Sequence, residues 1–203
     1  MIILKIKYFF IGLILSYCLG ISSFALATSS VYGNKIFDPG VLKPIDSVLK
    51  VKKGDPAPDF ELPSINGQTI RLSDYRGRHN VLLTFIPAAW TPVCSDQWPG
   101  YNIAQDLFKQ YDATLIGISV DNIPTLFAWT QQMGSLWFDV VSDFWPHGAV
   151  SSSYGVLRSN GTSERAVFII DKQGVIQFAH VEDINVRPDL GLLVKELEKI
   201  TSP

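Results

Sequence analysis

Asn80-Val81-Leu82-Leu83-Thr84-Phe85-Ile86-Pro87-Ala88-Ala89-Trp90-Thr91-Pro92-Val93-Cys94 is the stretch that decides the architecture. Val81 to Ile86 is apolar almost throughout, as expected of a strand buried on both faces. Pro87 ends that strand and shapes the loop, and its missing N–H keeps one donor away from whatever follows. Thr91-Pro92 then starts a helix, since threonine suits the N-cap and proline the first helical position. Cys94 therefore falls in the first turn, where free backbone N–H groups and the helix dipole favour a thiolate over a thiol. The end of a central strand meeting a helix is a usual place for an α/β active site.

Working outward, Asp59 to Leu62 and Thr69 to Leu72 flank Ser64-Ile65-Asn66-Gly67, an Asn-Gly turn between two short strands. The helix carrying Cys94 is expected to reach about Tyr111, with Tyr101, Ala104, Leu107 and Phe108 on its inward face. A buried strand follows over Thr114 to Ser119, then a helix from about Pro124 to Met133 stopped by Gly134. Phe138 to Val141 reads as a short strand and His147 to Tyr154 as a helix. Ala166 to Ile170 and Val175 to Ala179 are strands joined by Asp171-Lys172-Gln173-Gly174, a hairpin signal. A helix over residues 188–200 closes the chain. The order β-β-β-α-β-α-β-α-β-β-α implies an α/β fold, a central mixed β-sheet flanked by helices.

The chain opens with Lys5 and Lys7, an apolar stretch from Tyr8 to Leu19 and small residues ending Ala25-Leu26-Ala27. A basic start, an apolar middle and an A-x-A ending form a secretory signal peptide over residues 1–27. Export to the periplasm or outside the cell is the expectation, with an uncleaved membrane anchor as the alternative. Leu15-Ser16-Tyr17-Cys18 faintly resembles a lipoprotein cleavage box, but Tyr17 is not the small residue that such boxes need. Residues 28–50 read as a loosely structured leader, and residues 51–203 as one domain with a real core. A formal net charge of −2 without a basic block gives no reason to expect nucleic acid or anionic lipid as a partner. Exported proteins usually pair their cysteines. Beyond the signal segment this chain has only Cys94, so its thiol needs another explanation.

Peroxide reduction supplies one. A thiolate attacks one peroxide oxygen in line while the other leaves, which calls for an ionised thiol, a hydroxyl or cation to hold the peroxide, and donors aimed at the developing charge. Thr91, three residues before Cys94, is its neighbour on the helical face, although a plain helix cap would account for the same residue. Arg165 heads the strand Ala166 to Ile170, which should lie beside the Asn80–Ile86 strand; from there a guanidinium reaches the thiolate. An exposed ion pair with Glu164 is the competing reading of Arg165.

Pro87-Ala88-Ala89-Trp90-Thr91-Pro92-Val93-Cys94 matches the peroxiredoxin pattern P-x-x-x-T-x-x-C, and Arg165-Ala166-Val167-Phe168-Ile169-Ile170-Asp171 matches the family's second motif. Gly54 to Phe60 and Leu72 to Gly77 are similar to family openings. Ser142-Asp143-Phe144-Trp145-Pro146-His147-Gly148 resembles the one-cysteine alkyl hydroperoxide reductase E subgroup. The resemblance to the AhpC/TSA peroxiredoxins runs from about Val51 to Ile200. It implies a thioredoxin-like fold, Cys94 as peroxidatic nucleophile, and Pro87, Thr91 and Arg165 shaping its pocket. It also implies a hydroperoxide substrate and a homodimer, and brings no cofactor.

Two departures carry meaning. Relatives with an internal partner place a second cysteine five residues on, where this chain has Pro99, so a sulfenic acid on Cys94 requires an external thiol or redoxin reductant. The residue three after Cys94 is often acidic in the family; here it is Gln97, which can still hydrogen-bond. His79, His147 and His180 show no metal-ligand spacing, and no metal is expected. His147 is expected to cap or pack at its helix, near a pocket edge or dimer surface. Trp90, Trp98 and Trp145 are candidates for an aromatic collar around the thiol, with core packing as the alternative. Two other functions compete: a thiol–disulfide oxidoreductase, which would need cysteine where Thr91 stands, and a redoxin-like binding protein without turnover.

Overall fold

The computed structural model describes residues 35–201. The signal segment and the first part of the leader lie outside the described residues, and the described residues belong to one compact unit. Among the described residues, seven strands and five α-helices follow the expected order closely. β1 (Glu61–Pro63) and β2 (Thr69–Arg71) form an antiparallel hairpin with Gly67 at positive φ in its turn, and a 3-10 turn follows at Leu72–Tyr75. β3 (Asn80–Phe85) leads to α1 (Pro92–Ile103), α2 (Gln105–Lys109) and β4 (Ala113–Ser119). α3 (Ile123–Thr130), β5 (Asp139–Ser142), α4 (Ala149–Tyr154), β6 (Arg165–Ile170), β7 (Ile176–Glu182) and α5 (Leu190–Thr201) complete the chain.

The central sheet has the order β5-β4-β3-β6-β7, with β3, β4 and β5 parallel and β6 and β7 antiparallel to their neighbours. Every residue of β3 and β6 is buried, the signature of strands covered on both faces. Because alternate strand residues point to opposite faces, two cores result. On one face Leu82, Val167 and Ile169 pack with Trp98, Phe108, Trp129, Leu193 and Leu197 from four helices. On the other, Val81, Leu83, Phe85, Phe168 and Ile170 meet the hairpin and α4 through Leu62, Ile70 and Tyr154.

Three expectations change. The helix after Thr91 does not run unbroken to Tyr111. Pro99-Gly100 weaken its middle, the helix ends at Ala104 with φ −83° and ψ 14°, and α2 restarts at Gln105, with Leu107 41% exposed and Phe108 buried. The helix expected from His147 begins at Ala149, after Gly148 in the left-handed region. Residues 35–50 are not loose. They hold no strand or α-helix, yet Phe37 donates to the Trp90 carbonyl, Lys50 to that of Tyr154, and the Pro44 carbonyl accepts from Ile184.

β4 passes beneath α1 through a glycine for a packing reason. A Cβ at Gly117 would stand 2.7 Å from Cζ2 of the fully buried Trp98. Gly117→Ala is expected to cost about 1–3 kcal/mol, the usual penalty of overpacking, read as a lower denaturation midpoint at unchanged slope.

Candidate active site

The sheet order explains why residues 94 and 165 meet. β6 runs antiparallel to β3 with Phe85 opposite Ala166, so the first residue of β6 lies where β3 ends and α1 begins. Cys94 and Arg165 are both buried, and Nη2 of Arg165 donates to the Cys94 sulfur at 3.5 Å. Nε and Nη2 of Arg165 also donate to the Ile184 carbonyl at 3.1 and 3.0 Å, and Nη1 donates to Oε1 of Gln97 at 2.5 Å. No carboxylate is among these partners. Glu164 does not compete for Arg165, because adjacent residues of an extended chain point to opposite sides. Its carboxylate instead accepts from Nη1 of Arg158 at 2.5 Å and from the Asp46 amide at 2.6 Å.

Gln97 is more than a neutral substitute. Its amide donates to the Thr84 and Tyr101 hydroxyls at 3.1 and 3.3 Å while its oxygen takes the guanidinium. Burial pushes the Tyr101 phenol far above its ordinary value, so the residue stays neutral at the sheet end. Thr91 occupies the N-cap position of α1 but does not cap it. Its Oγ1 donates to the Ala88 carbonyl at 2.9 Å, which fixes the loop between Pro87 and the helix.

A cavity of about 480 Å3 opens here. The thiol loop (Pro87, Ala88, Thr91, Pro92 and Val93) and Arg165 line it together with residues 37–42, Asn160, Thr162, Ile184 and Asn185. Cys94 is not part of the lining but stands one contact behind it, against the guanidinium. Pro87, Thr91 and Arg165 are thus brought together at one cavity, with Cys94 behind them. A group entering it meets a hydroxyl and a cation beside a buried sulfur, a setting suited to developing negative charge.

The tryptophans form no collar. Trp98 is core, packed against Trp129 with ring centroids 4.9 Å apart and planes tilted by 40°; Trp145 is 81% exposed; and Trp90 lies within the loop before Thr91 with φ of 60°. His147 packs edge-on to Phe144 and donates from Nε2 to the carbonyl of Gly161, which lies between the lining residues Asn160 and Thr162, at 2.6 Å; His147 itself does not line the cavity. Among the described residues no group of three or more His, Cys, Asp or Glu could hold a metal ion, and no helix is long and apolar enough to cross a membrane. Asp143 anchors the start of α4 by accepting from the amides of Val150 and Ser151 and from the Ser151 hydroxyl. Burial raises its carboxyl above the ordinary value despite these bonds. Sequence reasoning missed Ile184, Asn185 and Phe37 at the cavity, for no motif marks them.

A profile of the AhpC/TSA family matches residues 53–179, which spans both the thiol loop and the β6 arginine. The chain belongs to the AhpC/TSA family. This peroxiredoxin is 38% identical over 150 residues to alkyl hydroperoxide reductase E of Mycobacterium tuberculosis, covering 73% of this chain and 97% of that protein. It is 34% identical over 161 residues to a chloroplastic 2-cysteine peroxiredoxin of Chattonella marina, covering 75% and 82%. Among solved structures it resembles a reduced Plasmodium vivax 2-Cys peroxiredoxin, with a TM-score of 0.68, 26% identity and coverage of 74% and 82%. The fold is therefore thioredoxin-like and the protein a thiol-dependent peroxidase.

The buried ion pair beside the cavity generates a prediction. Glu164→Ala would leave Arg158 charged and buried, and its Nε already has no hydrogen-bond partner. A loss of about 3–5 kcal/mol is expected, measured by chemical denaturation.

Proposed function

We propose that this protein is an exported one-cysteine peroxiredoxin that reduces hydrogen peroxide and organic hydroperoxides at Cys94. The thiolate attacks the terminal peroxide oxygen, the O–O bond breaks, and the sulfur keeps that oxygen and its hydrogen as a sulfenic acid. The other oxygen leaves as hydroxide or alkoxide and takes a proton from solvent. Sulfur is oxidised by two electrons and the peroxide reduced by the same two. Arg165 stabilises the thiolate and the leaving charge, Thr91 orients the peroxide, and Pro87 keeps the loop free of a competing amide. The observation carrying this reading is the Arg165 Nη2 contact with the Cys94 sulfur, 3.5 Å long, made by a buried cation that has no carboxylate partner.

Beyond residue 27 the chain has no cysteine besides Cys94, and Pro99 stands where an internal partner would be. Reduction of the sulfenic acid therefore falls to an external thiol or redoxin. The basic, apolar and small-residue sequence of residues 1–27 supports export, with membrane attachment only if that segment is retained. A homodimer is the assembly that the family relationship suggests.

Stoichiometric hydroperoxide should add one oxygen to Cys94 by intact mass within the mixing time of a stopped-flow instrument, and Cys94→Ser should show no such product. A thiol no faster than free cysteine would refute the reading. Arg165→Ala should slow the oxidation about 10²-fold; an unchanged rate would reduce Arg165 to a structural role. N-terminal sequencing of the protein recovered outside the cytoplasm should begin at Thr28.

A further inference from the structure

The leader reaches the buried arginine through Ile184. The Ile184 carbonyl accepts from Nε and Nη2 of Arg165 at 3.1 and 3.0 Å, while the Ile184 amide donates to the Pro44 carbonyl at 3.1 Å. Ile184 is 3% exposed and lies in the loop between β7 and α5, so no sheet ladder or helix fixes its carbonyl. Within the loop, the Val186 amide closes a turn onto the Asp183 carbonyl at 2.9 Å. The turn shapes the loop locally; its height over the sheet end needs an outside anchor.

Residues 42–46 supply that anchor. The Asn185 side chain grips the Leu42 backbone at both groups, accepting from its amide and donating to its carbonyl, each at 2.9 Å. Nδ2 of Asn185 also donates to Oδ1 of Asp183 at 2.7 Å, which fixes the orientation of the side-chain amide. Nη2 of Arg158 donates to the Lys43 carbonyl at 2.7 Å, and Oε1 of Glu164 accepts from the Asp46 amide at 2.6 Å. The Asp46 carboxylate accepts from the Ser159 amide and hydroxyl. Leu42, Lys43, Pro44 and Asp46 are thus each bonded to the domain, whereas Ile45 is 45% exposed. Directed hydrogen bonds, and not apolar burial, hold this segment in register. Both the segment and Asn185 lie outside residues 53–179, the part matched by the family profile.

We propose that residues 42–46 are a brace that sets the place of the Arg165 guanidinium through Ile184, with Asn185 as a positioning residue for the reaction at Cys94. The inference rests on the role given to Arg165 above. Nη2 of Arg165 is shared between the Ile184 carbonyl and the Cys94 sulfur, so the position of that carbonyl decides how close the cation stands to the sulfur. Gln97 holds Nη1 and leaves Nη2 to the loop. If the carbonyl shifts, Nη2 follows it, and the support that the cation gives a thiolate weakens with distance. Placement of this kind acts on rate through geometry, without contact between the brace and the reacting atoms. Asn185 acts through the backbone of Leu42 and its own neighbour Ile184.

The test uses the reduced full chain and two readouts. One is thiolate formation at Cys94 against pH, followed by ultraviolet absorbance with Cys94→Ser as the blank; the other is the rate of Cys94 oxidation by hydrogen peroxide. Asn185→Ala is expected to raise the pH midpoint by up to about 1 unit and to slow oxidation about tenfold. Asp46→Ala, which frees the far end of the brace from Ser159, should act in the same direction. Asp46→Asn keeps an acceptor for the Ser159 amide and hydroxyl and should restore most of both readouts. A merely structural role would lower the denaturation midpoint and leave the pH midpoint of the folded protein unmoved; that result in both alanine variants overturns the proposal. If Asn185→Ala does not fold, the two Asp46 variants decide the matter by the same criterion. The thiolate readout needs no peroxide. An unsubstituted chain that reacts no faster than free cysteine would therefore refute the peroxidase reading, while the pH midpoints would still show whether the brace sets the guanidinium.

Discussion

The site depends on where the charge of one buried guanidinium goes. Arg165 is 2% exposed, and three of the groups it meets, Ile184, Gln97 and the Cys94 sulfur, contain no carboxylate. A carboxylate in contact would take up most of the cation's field at short range, and little would remain for the sulfur. Neutral acceptors satisfy the N–H groups and leave the charge in place. The adjacent acid, Glu164, is kept away by the alternation of the extended chain and is occupied by Arg158. In the reaction proposed, that division of labour lets Arg165 serve the thiolate while Arg158 and Glu164 hold the structure.

This arrangement constrains the surrounding fold. The Ile184 carbonyl can reach Arg165 only if the loop after β7 turns back over the sheet end, and the leader's Pro44 holds that turn through the Ile184 amide. Asp46 fastens the same segment through the Ser159 amide and hydroxyl and the Glu164 carboxylate. The Lys43 ammonium, followed by the Ser159 hydroxyl and amide, holds the Asp46 carboxyl well below the usual carboxylate range. Its contribution is thus present above the ordinary carboxylate value and is lost only as pH falls toward the depressed one. The leader, the β7 loop and the thiol loop form one hydrogen-bonded frame around the cavity.

Much of this was legible in the chain. Thr91-Pro92 followed by Cys94 fixed a helix start behind a doubly buried strand, and the element order named the sheet. Arg165 was legible as a partner because its strand was assigned next to β3. What failed did so for identifiable reasons. Apolar periodicity continues through Ala104, Leu107 and Phe108 whether or not the helix bends, so the break after Pro99-Gly100 could not be read from it. Scattered Ser, Gly and Pro looked like a loose leader, because hydrogen bonds from backbone groups leave no trace in residue type. The three tryptophans illustrate the same limit: only packing distinguishes buried Trp98 from exposed Trp145.

The sequence by itself determined the local setting of Cys94, the family and the absence of a second cysteine beyond residue 27, since these follow from residue identity and local spacing. Tertiary structure alone decided which neighbours the guanidinium keeps. It gave Arg165 to Gln97, Ile184 and the sulfur, gave Glu164 to Arg158, and brought residues 37–42 into the cavity lining. The physical reason is that these contacts join positions far apart in the chain, up to 143 residues for Leu42 and Asn185. Local propensity carries no information over such distances; the register of β3 against β6 and the path of the closing loops supply it.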